Sequence, residues 1–238
     1  AYGIAGVSVM FWLMTRWSIV PDEWARYGVY NVARFIALAG VGISLAPTGI
    51  ASWMSVVWLF MIPISYVIFA GHGYRALKQR NLNQSLSPHW VAITIVFWLI
   101  SGFVGTLTTQ ADIHRWIQGT TFQTMQLGLM VWGMLAITLS LVNYTAAYLR
   151  GENRRVTGYM PLWLISFGNG FALIVQACIA VVEIYLSRIL QLEHASIAIL
   201  LTPLKIIWIV CLIGVSIGIA LYAMGYWVRR PKILTTSD

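Results

Sequence analysis

The sequence predicts an all-α fold, a bundle of about seven membrane-spanning helices with the N-terminus outside and the C-terminus in the cytoplasm. Of its 238 residues, 59% are hydrophobic and only 9% are charged, and the mean hydropathy is +0.78. Apolar segments of spanning length recur to the end of the chain, and basic residues gather on one side of them. One soluble core could not hide so much apolar surface, so we expect an integral membrane protein.

Each apolar segment must satisfy its own backbone hydrogen bonds inside lipid, which only helices and closed barrels achieve. The segments are too long and uninterrupted for barrel strands, so helices are expected. No repeat or soluble domain is evident, and a single transmembrane domain over residues 1–238 is predicted. Its first residue is Ala1, as expected of a processed terminus or of the later part of a longer precursor. The predicted spans are 2–20, 28–47, 53–74, 90–109, 121–148, 161–187 and 198–227.

The basic residues orient this bundle. When loops are assigned alternately, Arg115 and Arg188 fall on one side and twelve of the fifteen basic residues fall on the other. The positive-inside rule places the richer side in the cytoplasm. The formal charge of +8 is therefore a sign of membrane topology, with lipid phosphates as partners, and we expect no nucleic-acid partner. The twelve are Arg16, Arg26, Arg34, Arg75, Lys78, Arg80, Arg150, Arg154, Arg155, Arg229, Arg230 and Lys232.

Histidines are the first candidates for cofactor binding, because an intramembrane haem needs neutral imidazoles that project between helices. His72 lies between Gly71 and Gly73, which would allow close approach of a ring, and His114 lies in the external loop ADIHRW. An interfacial histidine at a helix end is the alternative interpretation of His72. None of the four histidines has a partner three or four residues away, so we expect no metal site built by this chain alone.

Polar groups inside apolar helices form the second set of candidates, because burying them in lipid is costly. Glu183 is expected near the outer end of its helix, in an ion pair or a partner contact, with proton conduction as the alternative. Lys205 follows Pro203 and is shallow enough for its amine to reach the headgroups. Asn169 and Gln176 are expected to form hydrogen bonds between helices.

One long stretch resembles a known family. Residues 97–137, FWLISGFVGTLTTQADIHRWIQGTTFQTMQLGLMVWGMLAI, are similar to the ninth and tenth helices of the large subunit of bacterial nitric oxide reductases, in the haem-copper oxidase superfamily. There a His-x-His pair ligates the low-spin haem and the active-site haem. Aligning the flanking glycines places Gln126 and Gly128 where those histidines would stand.

Two further segments extend the resemblance. Residues 162–190 are similar to the family's eleventh helix, and residues 40–60 to its seventh and eighth. In the latter, Ile43 and Ser44 occupy the neighbourhood of a histidine pair that ligates copper or non-haem iron. The seven predicted helices then correspond to the family's sixth to twelfth, whose orientation agrees with the one derived from charge.

The resemblance implies a subunit that kept the helical scaffold and lost the metal ligands. We therefore expect a non-catalytic membrane subunit of a larger respiratory or electron-transfer complex in a bacterial or archaeal cytoplasmic membrane. Other membrane subunits, a cytochrome among them, would be its partners, and haem would be held by a partner rather than by this chain. Two alternatives remain: a haem- or quinone-binding subunit that shares its site with another chain, and a small seven-helix transporter or channel.

Overall fold

The computed structural model of the chain describes residues 2–17, 22–45, 52–78, 86–108, 111–149 and 158–228. These residues form helices without any strand. Seven helices are long and two, α5 and α8, are short. They are α1 (Tyr2–Trp17), α2 (Asp22–Leu45), α3 (Ser52–Lys78), α4 (Ser87–Thr108), α5 (Ala111–Ile117), α6 (Thr121–Leu149), α7 (Tyr159–Ile184), α8 (His194–Leu200) and α9 (Thr202–Val228).

The seven long helices lie over the seven predicted spans, with differences at the ends. Helix α2 begins at Asp22 rather than at residue 28, because its first turns are polar and periodicity of apolar residues does not reveal them. The last predicted span is divided: α8 ends before Leu201, and α9 begins just before Pro203. Proline lacks an N–H and is tolerated in a first helical turn, so it favours a new start there. A π-helical turn, Tyr185–Ile189, extends α7.

Helices α4, α6, α7 and α9 alternate in direction. Ser87 at the start of α4 contacts Ser140 late in α6, whereas Thr108 at the end of α4 contacts Gln126 early in α6. The start of α6 likewise meets the end of α7, and α9 packs against α7. Successive spans of a membrane bundle have this antiparallel arrangement.

Four described helices are long and apolar enough to cross a membrane: Ser87–Thr108, Thr121–Tyr148, Tyr159–Ile189 and Thr202–Tyr226. The prediction of an all-helical, multi-pass membrane protein is confirmed to that extent. In the most apolar segment of α4, half of the residues are buried within the chain, whereas in that of α9 only 17% are buried. Helix α4 is therefore central, and α9 turns most of its apolar surface outward.

The first three helices pack around aromatic side chains. Phe11 of α1 is 1% exposed, and its ring meets those of Trp24 in α2 and Phe69 in α3 edge-on at 6.0 and 5.6 Å. Gly28 lies beneath Phe11, and a Cβ atom there would stand 2.3 Å from the Phe11 ring. The close approach of α1 and α2 thus requires a residue without a side chain at position 28.

Candidate functional site at the α6–α7 interface

The carboxylate of Glu183, at the end of α7, caps the start of α6. Its Oε2 atom accepts hydrogen bonds from the backbone N–H of Thr121 at 2.8 Å and from the Thr121 hydroxyl at 2.7 Å. The first N–H groups of a helix lack partners within the helix, and the positive end of the helix dipole favours an anion. Glu183 therefore holds two helices together at one end of the bundle.

The turn before α6 is shaped to receive this contact. Gly119 has φ +76°, which glycine adopts without strain. The hydroxyl of Thr120 accepts a hydrogen bond from the N–H of Phe122 at 3.4 Å, as an N-cap residue does. Arg188, in the π-helical turn after α7, donates to the carbonyl oxygen of Gln118 at 3.1 Å. Glu183 and Arg188 thus both hold the turn between α5 and α6, rather than pairing with each other.

Glu183 is the last of three polar residues on one face of α7. Asn169, Gln176 and Glu183 are seven residues apart, so they share one side of the helix at intervals of two turns. The contact of Glu183 with Thr121 turns this side toward α6. Gln176 is 7% exposed and Asn169 is 2% exposed.

Asn169 differs from the other two in its surroundings. Its Oδ1 atom is buried and has no hydrogen-bond partner among the described residues. The sequence predicted interhelical hydrogen bonds for Asn169 and Gln176; the structure buries both side chains at an interface. An unpaired carbonyl oxygen costs about 1–3 kcal/mol in such a place, so Asn169 is the least satisfied polar group on this side of α7.

Gly128 and Gln126, the positions aligned with the family's missing histidines, face different neighbours of α6. A Cβ atom at Gly128 would stand 3.1 Å from Cδ2 of Leu173 and 3.7 Å from Oε1 of Gln176, both in α7. Gln126 instead accepts a hydrogen bond from the Thr108 hydroxyl of α4 at 3.2 Å. Residues two apart on a helix point to opposite sides. Side chains of α4 and α7 thus contact these two positions from different sides.

A second polar cluster, which the sequence analysis missed, lies at the other end of α6. The side-chain amide of Asn143 donates to the hydroxyl of Tyr222 in α9 at 2.7 Å. Tyr222 in turn donates to the Leu139 carbonyl at 3.1 Å, and its hydroxyl lies 2.9 Å from that of Tyr226. An Asn and a Tyr inside apolar helices can be recognised in a sequence as candidates for interhelical hydrogen bonds. The sequence does not show that these two residues, 79 positions apart, bond to each other.

Two serines make a similar contact between α4 and α6. The hydroxyl groups of Ser87 and Ser140 are 2.7 Å apart, and Ser140 also donates to the Ser87 carbonyl at 3.0 Å. Both side chains are fully buried. Hydrogen bonds thus connect α6 to three other long helices, α4, α7 and α9.

The remaining predicted residues lie away from this interface. His72 sits among aromatic rings, 4.6 Å from Trp24 and 5.6 Å from Phe11 between ring centroids, and its buried Nδ1 has no partner among the described residues. His114 is exposed on the short helix α5. Lys205 is exposed in the first turn of α9.

Ile43 and Ser44 are the positions that the resemblance aligns with a histidine pair of the family. Both residues belong to α2, but their side chains lie outside the described part of the structure. Within the part that is described, no three His, Cys, Asp or Glu side chains come together as a metal would require.

The fold and this interface define an all-α, multi-pass membrane protein whose central helices are joined by buried polar contacts. No protein-family model matches the sequence, and no curated protein matches it either.

Proposed function

We propose that this chain is a non-catalytic structural subunit of a larger respiratory or electron-transfer complex, related in descent to the large subunit of nitric oxide reductases. It would span the membrane seven times, with its N-terminus outside. The observation that supports this most is the packing at Gln126 and Gly128. On one side α4 contacts Gln126, and on the other side Leu173 and Gln176 of α7 contact Gly128.

The packing matters because a haem would have to separate these helices. Imidazole ligation of haem iron also cannot be replaced by an amide or by the hydrogen of glycine. Where the resembling family places two haem groups, this chain uses the same positions for helix–helix contact. Helix packing is the property that a scaffold subunit needs.

The outward faces of α7 and α9 support the assembly part of the proposal. Phe171 and Val181 of α7 are more than half exposed, as are Ile206 and Val210 of α9. Such faces are covered either by lipid or by other membrane subunits. We infer that a catalytic or cytochrome subunit packs on this side.

Extraction in a mild detergent tests the assembly. We expect the chain to migrate in native mass measurements with at least one further membrane subunit. Purification of the chain alone, with no co-purifying subunit under any mild condition, would contradict the proposal.

Restoring the histidines tests the packing argument. The double variant Gln126→His, Gly128→His is expected to bind no haem in a pyridine haemochrome assay, and to be less stable than wild type because a ring at 128 displaces Leu173. Leu127→Phe, at an exposed position between them, is the control for the bulk of a ring and should leave stability unchanged. Stoichiometric haem in the wild type or in the double variant would show that the interface opens to a cofactor.

Thiol labelling tests the proposed orientation. In a background without Cys178 and Cys211, a membrane-impermeant reagent added to intact cells should label Arg115→Cys and spare Lys78→Cys. Both wild-type residues are exposed. The opposite pattern would reverse the topology.

The transporter alternative finds less support in the geometry. Asn169, Gln176 and Glu183 are separated by about 10 Å each along α7, and Gln176 faces the tightly packed Gly128. A row with such gaps does not make a continuous polar path.

A further inference from the structure

A long apolar groove lies between α4 and α7, with α6 as its floor. Its volume is about 760 Å³. One wall extends from His89 to Val104 in α4, and the other from Leu162 to Ala177 in α7. Phe122 and Leu129 of α6 contribute to the floor.

The length and narrowness of the groove limit the kind of molecule that can bind in it. The wall of α4 extends over sixteen residues, from His89 to Val104, or about 22 Å at the helical rise. A single hydrocarbon chain is much thinner than a helix, which is about 10–12 Å wide with its side chains, and it fits lengthwise along such a groove.

The groove is longer than the acyl chain of an ordinary phospholipid would fill. Half of a hydrocarbon core of about 30 Å is about 15 Å, so an acyl chain anchored in one leaflet ends near the middle of the bilayer. The groove continues past that depth. A longer chain, such as an isoprenoid tail, matches it better.

The polar groups of the groove lie at one end. His89 belongs to the first turn of α4 and Ser166 to the second or third turn of α7, and these helices start on the same side of the bundle. The Ser166 Oγ atom is buried without a hydrogen-bond partner among the described residues. Among the residues that the structure describes, no charged side chain lines the groove. A neutral head group with a hydrogen-bond acceptor is therefore suited to this end.

Aromatic rings flank the same end. Trp163 and Phe167, which both line the groove, are stacked with centroids 4.9 Å apart and an interplanar angle of 14°. Their flat faces suit a planar ring. A quinone combines the three required features: a planar head, carbonyl oxygens that accept hydrogen bonds, and a long isoprenoid tail.

We propose that this groove binds an isoprenoid quinone, with a head-group carbonyl accepting a hydrogen bond from the Ser166 hydroxyl beside His89 and the tail extending along α6 toward Phe122. The inference depends on the membrane placement of α4, α6 and α7, and not on the oxidase-like descent or on a partner complex. It concerns binding only.

The test uses the isolated chain in nanodiscs of neutral phospholipid, loaded with long-chain ubiquinone or menaquinone and assayed for quinone retained per chain. Wild type should retain about one quinone per chain. A tail-less quinone analogue should bind at least tenfold more weakly, because most of the contact is with the tail. Equal binding of the two forms, or no retention of either long-chain quinone, would overturn the proposal.

Gly170→Leu blocks the groove selectively. Gly170 lines the groove, and a Cβ atom there meets nothing within 4 Å, so leucine can enter the space without displacing the backbone. Gly214→Leu, on α9 with equally open surroundings, is the matched control. We expect Gly170→Leu to lose quinone and Gly214→Leu to keep it. Retention by the first variant, or retention of phospholipid in place of quinone by wild type, would contradict the assignment.

Ser166→Ala tests the head group without filling the groove. Loss of one hydrogen bond predicts a five- to tenfold weaker quinone affinity, with unchanged binding of a tail that carries no carbonyl. An unchanged quinone affinity would remove Ser166 from the site. Because no partner subunit is present, the outcome is independent of whether the chain assembles with other subunits.

Discussion

The helices α1–α3 and the helices α4, α6, α7 and α9 are joined by different kinds of contact. In the first group, Phe11 is surrounded by the rings of Trp24, Phe69 and His72. In the second, buried hydrogen bonds link helix to helix, from the Ser87–Ser140 contact to the contact of Glu183 with Thr121.

The difference shows two ways to pack the helices of this chain. Lipid tails are as apolar as the side chains, so helices associate through close packing and directional polar contacts rather than by burial from water. Rings fill volume but tolerate several arrangements. Hydrogen bonds and glycine contacts specify one register, as they do between α6 and its neighbours.

The largest effect is expected from Phe11→Ala, which removes the centre of the aromatic cluster. A buried Phe→Ala change costs about 3–5 kcal/mol in soluble cores. We expect Phe11→Ala to lower the free energy of unfolding by about 3 kcal/mol, because part of the cost in soluble cores is transfer from water, which lipid does not impose. Unfolding in a series of denaturing detergent mixtures would measure it. Phe171→Ala, at a 58% exposed position, should change stability little. An equal loss of stability in both variants would show that the aromatic cluster does not contribute specially to stability.

The next largest effect is expected from Gly133→Ala, because the new methyl group would stand 2.3 Å from Nε1 of Trp98. Overpacking of this kind costs about 1–3 kcal/mol. Gly214→Ala, with open surroundings, is the control in the same unfolding assay. Adding Trp98→Leu to Gly133→Ala should recover part of the loss, and strict additivity of the two changes would exclude the clash as its cause.

A smaller effect is expected from Glu183→Ala, which removes the cap of α6. Loss of a cap and of a favourable charge at a helix start costs about 1–2 kcal/mol. Glu183→Gln keeps an acceptor for Thr121 and should lose only part of that stability. Glu193, exposed and without a capping hydrogen bond at the start of α8, provides the control Glu193→Ala. If both alanine variants unfold alike, the cap contributes nothing.

The smallest effect is expected from Tyr222→Phe. Its hydroxyl bonds Asn143 and the Leu139 carbonyl, and interhelical hydrogen bonds in membranes average about 0.6 kcal/mol. Tyr185→Phe, at a position that is half exposed, should change nothing measurable. A loss for Tyr222→Phe as large as that for Phe11→Ala would reverse the contrast between the two groups of helices.

Much of this architecture was predictable from local patterns. Apolar runs locate the long helices, of which four described ones are long and apolar enough to cross a membrane, because a spanning segment needs about 20 apolar residues regardless of its neighbours. The short helices α5 and α8 were not predicted, because each has only seven residues and carries no such signal. The early start of α2 was not predicted for a similar reason, since the first turns of this helix are polar.

The candidate site was predictable in composition but not in arrangement. Glu183, Asn169 and Gln176 stand out in the sequence because polar groups in apolar helices are rare. That Glu183 caps α6, and that Gln176 lies beside Gly128, depends on the register of two helices whose contacting residues are 48 to 62 positions apart. Local propensity contains no information on that register.

By itself, the sequence determined the all-helical membrane fold, because hydropathy and the backbone's need for internal hydrogen bonds act on each segment separately. Only the tertiary structure decided which side chains meet: that Gln126 faces α4 while Gly128 faces α7, and that α4 and α7 leave a groove between them. These contacts follow from side-chain shape at close range, where a single glycine or ring sets how near two helices come.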